Sequence, residues 1–201
     1  MLDVGCGTQP YRSLFKVERY VGLELDTSAA HARGIADAFY DGQRFPFADA
    51  HFDTVLCNQV LEHVFNPDEF VAELRRVLAP GGRLLLTAPF VWDEHEQPFD
   101  YARYSTFGLR ALLERHGLQI LEQRRLLADS SLLFQLANAY LYKVLPSQKV
   151  VRLMATCILM APLSMLGLLL GWLLPKNPDL FLDQAIVATP KVQMSANAAM
   201  A

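Results

Sequence analysis

From residue 1 to about 127, short apolar runs bounded by Gly, Pro and Asp alternate with amphipathic stretches. Runs of the first kind read as buried strands, and apolar positions at helical spacing read as helices lying on a sheet. Strands are expected at Met1 to Val4, Tyr20 to Leu25, about Ile35 to Tyr40 and Phe52 to Cys57, with a fifth at Arg83 to Ala88 after the Pro80-Gly81-Gly82 turn. The best-defined helix is Pro67 to Leu78. Asn66 suits its N-cap, Pro67 its first position, and Asp68 and Glu69 the positive end of its dipole. Phe70, Val71, Leu74, Val77 and Leu78 then share one face, which should pack on the sheet. A second helix, Thr106 to Arg115, ends at Gly117, a candidate left-handed C-cap, and leads into a sixth strand around Leu118 to Arg124. Strands alternating with helices predict an α/β fold built on a mostly parallel sheet.

The pattern then changes. Leu153 to Leu174 contains no charged side chain and is long enough, as one straight helix, to cross a bilayer's hydrocarbon core. Pro162 should break or kink the run, Gly167 and Gly171 should weaken it, and Gln184 to Pro190 reads as a strand returning to the sheet. A single crossing would leave that strand on the wrong side. The more economical expectation is an apolar helical insertion that dips into one leaflet or packs as a hairpin, with Arg152 and Lys176 at the headgroups. A true span and a protein-buried or homodimer-forming helix pair stay open beside it. The expected organisation is a core at 1–127, an insertion at 128–180 with membrane contact through 150–174, a final strand at 181–190 and a disordered tail at 191–201.

Composition sharpens this. Hydrophobic residues make up 52% of the 201, slightly above the usual share for a soluble domain. A formal net charge of -3 provides no basic field for phosphodiester backbones, so no nucleic-acid partner is expected. Cys6, Cys57 and Cys157 are isolated, with no CxxC spacing, so neither a metal site nor a disulfide framework is read. No basic leader precedes an apolar stretch, and a cytoplasmic protein, peripheral at the cytoplasmic membrane face, is expected.

Gly5-Cys6-Gly7 directly follows a strand, where glycines let backbone approach a ligand. A dinucleotide fingerprint needs a third glycine where this chain has Pro10, which speaks against that motif. Leu2-Asp3-Val4-Gly5-Cys6-Gly7-Thr8, Val21-Gly22-Leu23-Glu24, Asp41 with Phe45-Pro46-Phe47, Phe52-Asp53-Thr54-Val55 with Val60-Leu61-Glu62-His63, and Pro80-Gly81-Gly82 follow one another on successive strand ends. In order and spacing they resemble class I S-adenosylmethionine-dependent methyltransferases of the type 11 family, over residues 1 to about 125. The resemblance implies a Rossmann-like, seven-stranded sheet with the last strand antiparallel, and S-adenosylmethionine as cofactor. It further implies that the aminocarboxypropyl end lies over Gly5, Cys6 and Gly7 with Asp3 assisting. Glu24, with Asp26 as fallback, would accept from the ribose hydroxyls, Asp41 would meet the adenine amine, and Asn58 and Gln59 would line the other side. Cys6 reads as a small filler, Asp53 as a turn or strand-start residue, and His63 as a local cap or packing residue, with contact to cofactor or substrate as the alternative. The family often has glycine where this chain has Gln9. It also carries helices before strand one, whereas here strand one opens the chain, and weak or absent cofactor binding by the 201-residue form is the expectation.

Methyl transfer from a sulfonium needs the acceptor held in line and water excluded. The segment from Pro89 to Tyr104 leaves the fifth strand at its carboxyl end, where ligands bind in open α/β sheets. It resembles a segment of type 11 methyltransferases that modify polysaccharides or lipids. His95 is the candidate general base or acceptor-orienting group, with Asp100, Arg103 and Tyr104 shaping the pocket. A brace between Asp100 and Arg103 is the plainer alternative. Three functional readings stand: a methyltransferase for a small-molecule, lipid or lipid-linked saccharide acceptor reached at the membrane surface; one for a soluble acceptor, with the insertion serving dimerisation; and a truncated or degenerate cofactor-binding protein without turnover.

Overall fold

The computed structural model describes residues 1–191, so all but the first residue of the expected tail lies outside the described residues. Seven strands form one sheet: β1 (Leu2–Val4), β2 (Val21–Leu25), β3 (Ala38–Tyr40), β4 (Phe52–Asn58), β5 (Leu78–Pro89), β6 (Leu118–Leu126) and β7 (Asp183–Pro190). Their order across the sheet is β3-β2-β1-β4-β5-β7-β6. The first five run parallel, and β7 lies antiparallel to both of its neighbours, β5 and β6. This is the expected fold, and it puts the carboxyl ends of β1, β2, β4 and β5 on one edge.

Strand β5 begins directly where α2 (Pro67–Val77) ends, several residues earlier than the sequence suggests. Leu78 pairs with Phe52, and the register then shifts before Arg83 joins Thr54, so Pro80-Gly81-Gly82 sits inside the strand as an irregularity. Helix α2 buries Phe70, Val71, Leu74 and Val77 on the sheet, as its pattern predicts. Asn66 holds the N-cap position, but its side chain makes no capping hydrogen bond and instead donates to Glu69. A short α1 (Ser28–Arg33), capped by Thr27, escaped the sequence pattern; α3 (Thr106–Arg115) has the expected bounds, and Gly117 takes φ +74° beyond its end.

Between β6 and β7 the chain leaves the sheet. Helix α4 (Ser131–Val144) runs out, and α5 (Lys149–Ala155), a π turn (Thr156–Met160) and α6 (Ala161–Leu173) run back as one 25-residue helix, Lys149–Leu173. Pro162 does not break it. The π turn lets the Ala161 N–H reach the Thr156 carbonyl, rearranging the bonding just before the ring that has no donor. Gly167 and Gly171 do not merely weaken the helix, because they let α4 and the segment before it approach. A Cβ on Gly167 would sit 2.7 Å from the Phe134 Cβ, and one on Gly171 2.7 Å from Asp129 Oδ1. Asn138 bridges the pair by donating to the Ser164 hydroxyl at 2.8 Å and to the Met160 carbonyl at 3.2 Å. The Leu182 N–H donates to the Leu126 carbonyl at 3.0 Å, so the insertion leaves and rejoins the sheet at the same point.

Candidate active site

The first half of the site is the turn after β1. Gly5 and Cys6 both donate backbone N–H to the Leu23 carbonyl, at 2.9 and 3.2 Å, which folds the loop over the end of β2. Gly5 takes φ +68°, and a Cβ there would lie 2.5 Å from Val60 Cγ2, so this residue type is required twice over. Gln9 also holds a left-handed conformation, φ +53°. Its side chain offsets that strain by donating to the Ile35 carbonyl at 3.0 Å and accepting from Arg12 at 2.9 Å.

Glu24 ends β2 beside this loop. Its Oε2 accepts the Gly7 N–H at 2.9 Å and lies 3.4 Å from Arg33. The carboxylate is 16% exposed and acceptor-only, with Oε1 engaged only by the weak 3.3 Å contact to the next backbone N–H. A ligand carrying vicinal hydroxyls fits the remaining acceptor capacity of that carboxylate, and Gly7, around which a Cβ would meet nothing, leaves space above the loop. Asp41 follows β3 and is exposed; its Oδ1 accepts the N–H groups of Gln43 and Arg44, which hold its carboxyl below the usual carboxylate range. Asp26 pairs with His31 at 2.7 Å. Asn58 donates to the Tyr11 hydroxyl at 3.0 Å and accepts from Thr87 at 2.7 Å. Gln59, at φ +54°, is tied to Thr87 and Asp183. Asp3, by contrast, is buried, and its Oδ2 accepts the Tyr20 hydroxyl at 2.5 Å, so it braces β1 against the start of β2. Cys6 is buried with its thiol pushed up to about 11 by desolvation and nearby carboxylates, which suits a filler and not a nucleophile.

The second half lies at the ends of β4 and β5. The 3-10 turn Leu61–His63 follows β4, and the loop after β5 is stitched to it: Tyr101 and Ala102 donate N–H to the Glu62 carbonyl at 2.8 and 3.3 Å. Asp100 and Arg103 form a two-pronged ion pair, 2.5 and 2.7 Å, and Arg103 also donates to the Asp93 carbonyl. The Arg103 guanidinium holds the Asp100 carboxyl well below its ordinary range. These two residues therefore brace the loop, although both also line a shallow crevice of about 210 Å³ with Trp92 and Tyr101. Tyr104 is partly buried, its hydroxyl pushed up to about 12 by desolvation, and it packs against the core.

His95 stands where the loop predicts. Its backbone N–H donates to Asp100 at 3.0 Å, and its Nδ1 lies 3.2 Å from the Asp93 carbonyl and 3.3 Å from Asp100 Oδ2. Both of those oxygens only accept, so Nδ1 carries a proton, and in the neutral ring the lone pair lies on Nε2. The meeting of two motif residues with His95 escaped the sequence reading. His63 packs edge-on against His95, ring centroids 4.7 Å apart, and Glu62 is completely buried with both carboxylate oxygens lacking a hydrogen-bond partner. Burial pushes the Glu62 carboxyl up to about 7. The available signal was a lone carboxylate in the apolar stretch Val60-Leu61-Glu62-His63-Val64.

With this geometry established, the comparisons bear on the first half of the site. Residues 2–86 match a family model described as a methyltransferase domain, spanning the Gly5 loop, Glu24, Asp41, Asn58 and Gln59. Over those residues the chain is similar to methyltransferase domains. An uncharacterized methyltransferase of Mycobacterium marinum is 38% identical over 130 residues, covering 58% of this chain and 51% of that protein. The chain thus spans about half the length of that relative. Among solved structures, the chain resembles in fold the cyclase SpnF, with a TM-score of 0.59 and 20% identity over 95% of this chain and 75% of that one. The Burkholderia thailandensis 1,6-didemethyltoxoflavin-N1-methyltransferase, solved with S-adenosylhomocysteine, gives a TM-score of 0.55 and 15% identity over 94% and 70%. At such identities the likeness is one of fold.

Proposed function

We propose that this chain is an S-adenosylmethionine-dependent methyltransferase whose acceptor is a lipid, or a small molecule or saccharide carried on a lipid, met at the cytoplasmic face of a membrane. When bound, S-adenosylmethionine supplies an electrophilic methyl group on a sulfonium. The Gly5 to Gly7 backbone would hold its aminocarboxypropyl end, Glu24 would accept from the ribose hydroxyls, and Asn58 and Gln59 would border the far side. Asp41 would accept from the adenine amine through Oδ2 while Oδ1 keeps the Gln43 and Arg44 N–H groups. His95 faces the acceptor with its Nε2 lone pair, and in the absence of any bound cation it takes the proton of an acceptor hydroxyl.

The observation that carries the lipid reading joins the apolar hairpin to the acceptor loop. Lys143, at the end of α4, lies 2.6 Å from Asp93 and donates to the Glu94 carbonyl, immediately beside His95. The return helix has a mean hydropathy of 2.2 over its best window, and only 6% of that window is buried. Trp172 is 81% exposed, and Met165, Ile158 and Leu168 also face outward. Since the insertion leaves and rejoins the sheet at one hydrogen bond, a single crossing does not fit, and the hairpin lies in one leaflet with Lys149, Arg152 and Lys176 near the headgroups.

Two measurements test this. Incubation with methyl-labelled S-adenosylmethionine and cell extract, followed by separation of lipid and aqueous phases, is expected to place the label in the lipid phase. Label in the aqueous phase would favour a soluble acceptor with the hairpin mediating dimerisation, and no label would favour a cofactor-binding protein without turnover. In flotation with liposomes, the full chain should rise with the vesicles, and deletion of residues 150–174 should leave it at the bottom. Equal flotation of the two forms would remove the membrane component.

A further inference from the structure

We propose that Glu62, His63 and His95 form a binding site for a divalent transition-metal cation of the zinc and cobalt kind. One donor atom from each of the three lies within 4.8 Å of the others. They come from two elements that the fold brings together, the turn after β4 and the loop after β5, held by the Tyr101 and Ala102 bonds to the Glu62 carbonyl. No cysteine takes part, so the isolated cysteines carry no information about this site.

Three features distinguish the cluster from an accidental meeting of polar groups. First, Glu62 is fully buried and both of its oxygens lack hydrogen-bond partners, which is costly for a carboxylate unless something else satisfies it. Second, both imidazoles are oriented through their far nitrogens. His63 Nδ1 lies 2.7 Å from the Phe99 carbonyl, and His95 Nδ1 sits against the Asp93 carbonyl and Asp100. A backbone carbonyl or a carboxylate behind Nδ1 is the arrangement that fixes a metal-ligating histidine and leaves Nε2 to bind. His63 Nε2 already lies 3.9 Å from Glu62 Oε1. Third, the histidines are partly open to solvent, so a cation held by three protein ligands keeps a position for water or an acceptor oxygen.

Bond lengths of about 2.0 to 2.2 Å to nitrogen and oxygen place tetrahedral donors about 3.3 Å apart, so the cluster must tighten by about 1.5 Å at its widest pair. Side-chain rotation of His63 and His95, neither of which is fully packed, supplies that movement. A mixed imidazole and carboxylate set favours zinc, cobalt, iron or manganese over calcium. Cation binding consumes the Nε2 lone pair of His95, so an occupied site and a proton-accepting His95 exclude each other.

The test uses the full chain, stripped with EDTA, dialysed and titrated with Co²⁺, with visible ligand-field absorption as the readout and Zn²⁺ as competitor. One saturable equivalent, displaced by Zn²⁺, is expected. Glu62→Gln, His63→Asn and His95→Ala should each weaken binding by about a hundredfold. His63→Asn is the control for folding, because the ring is partly open to solvent; this variant should keep the unfolding temperature of the stripped protein while losing the cobalt band. Absence of a saturable band would overturn the proposal. So would a band of equal affinity in Glu62→Gln and His63→Asn, which would assign it to exposed pairs such as His31 with Asp26 or His116 with Asp68.

Discussion

Replacing Glu24 by alanine is expected to weaken S-adenosylmethionine binding by about a hundredfold. Two hydrogen bonds from ribose hydroxyls to an ionised carboxylate contribute about 3 kcal/mol together, which corresponds to that factor. The substitution also removes the acceptor of the Gly7 N–H and the partner of Arg33, so some of the loss will come from a looser loop. Glu24→Gln separates the two effects. It keeps an oxygen for Gly7 and the shape of the corner but loses the charge, and it should fall between wild type and alanine. Calorimetric titration of the three forms measures this, and an unchanged dissociation constant in Glu24→Ala would mean that the cofactor does not use the end of β2.

The second large effect concerns Glu62 and the pH dependence of stability in the presence of EDTA. Its carboxyl rises from an ordinary value of 4.5 to about 7 on folding, chiefly through desolvation. The folded state therefore holds this proton more tightly than the unfolded state. The associated stability is present in full below about pH 4.5, declines as pH rises towards 7, and is gone above it. The span amounts to about 3 kcal/mol. Glu62→Gln, which carries no charge at any pH, should gain stability relative to wild type by that order as pH goes from 4 to 8. Denaturant unfolding of both proteins at the two pH values gives the difference. A constant gap between them would show that Glu62 is not desolvated as described. With a cation added, the sign at pH 8 should reverse, because wild type alone would then have the ligand set.

Most of the sheet was legible because parallel strands covered on both faces read as continuous apolar runs, and Leu2 to Val4, Val21 to Leu23 and Val55 to Cys57 are all buried. Helix α2 was legible for the complementary reason, a single apolar stripe with polar residues opposite. Helix α4 was not. It buries Ser131, Leu132 and Asn138 while exposing Leu133, Tyr140 and Val144, so its pattern opposes the rule that apolar residues face inward. The early start of β5 was hidden because Pro80-Gly81-Gly82 has turn chemistry, and only pairing of Leu78 with Phe52 makes it part of a strand.

In the site, Gly5, Gly7 and Glu24 could be read because local chain order places them together at adjacent strand ends. The partners that shape their surroundings could not. Arg76, on α2, donates to the Phe45 and Phe47 carbonyls and pairs with Glu73 and Asp49, pinning the Phe45-Pro46-Phe47 loop from a distance in sequence. Glu62 and His63 belonged to a recognised motif, yet their meeting with His95 depends on two backbone bonds from Tyr101 and Ala102. Asp3 reads like a ligand from its place in the motif, but the Tyr20 hydroxyl claims it.

The central place of β7 bears on how the chain is made. Among the described residues β6 pairs with no strand other than β7, and the whole apolar hairpin is synthesised between them. While the ribosome is still producing that hairpin, β6 has no partner, and the outward leucines, Met165 and Trp172 protrude from a half-finished domain. That interval is when self-association is most favourable. A bilayer or a chaperone that receives the hairpin during synthesis would protect the nascent chain, and its yield in a cell-free translation system should rise when either is supplied from the start instead of after release.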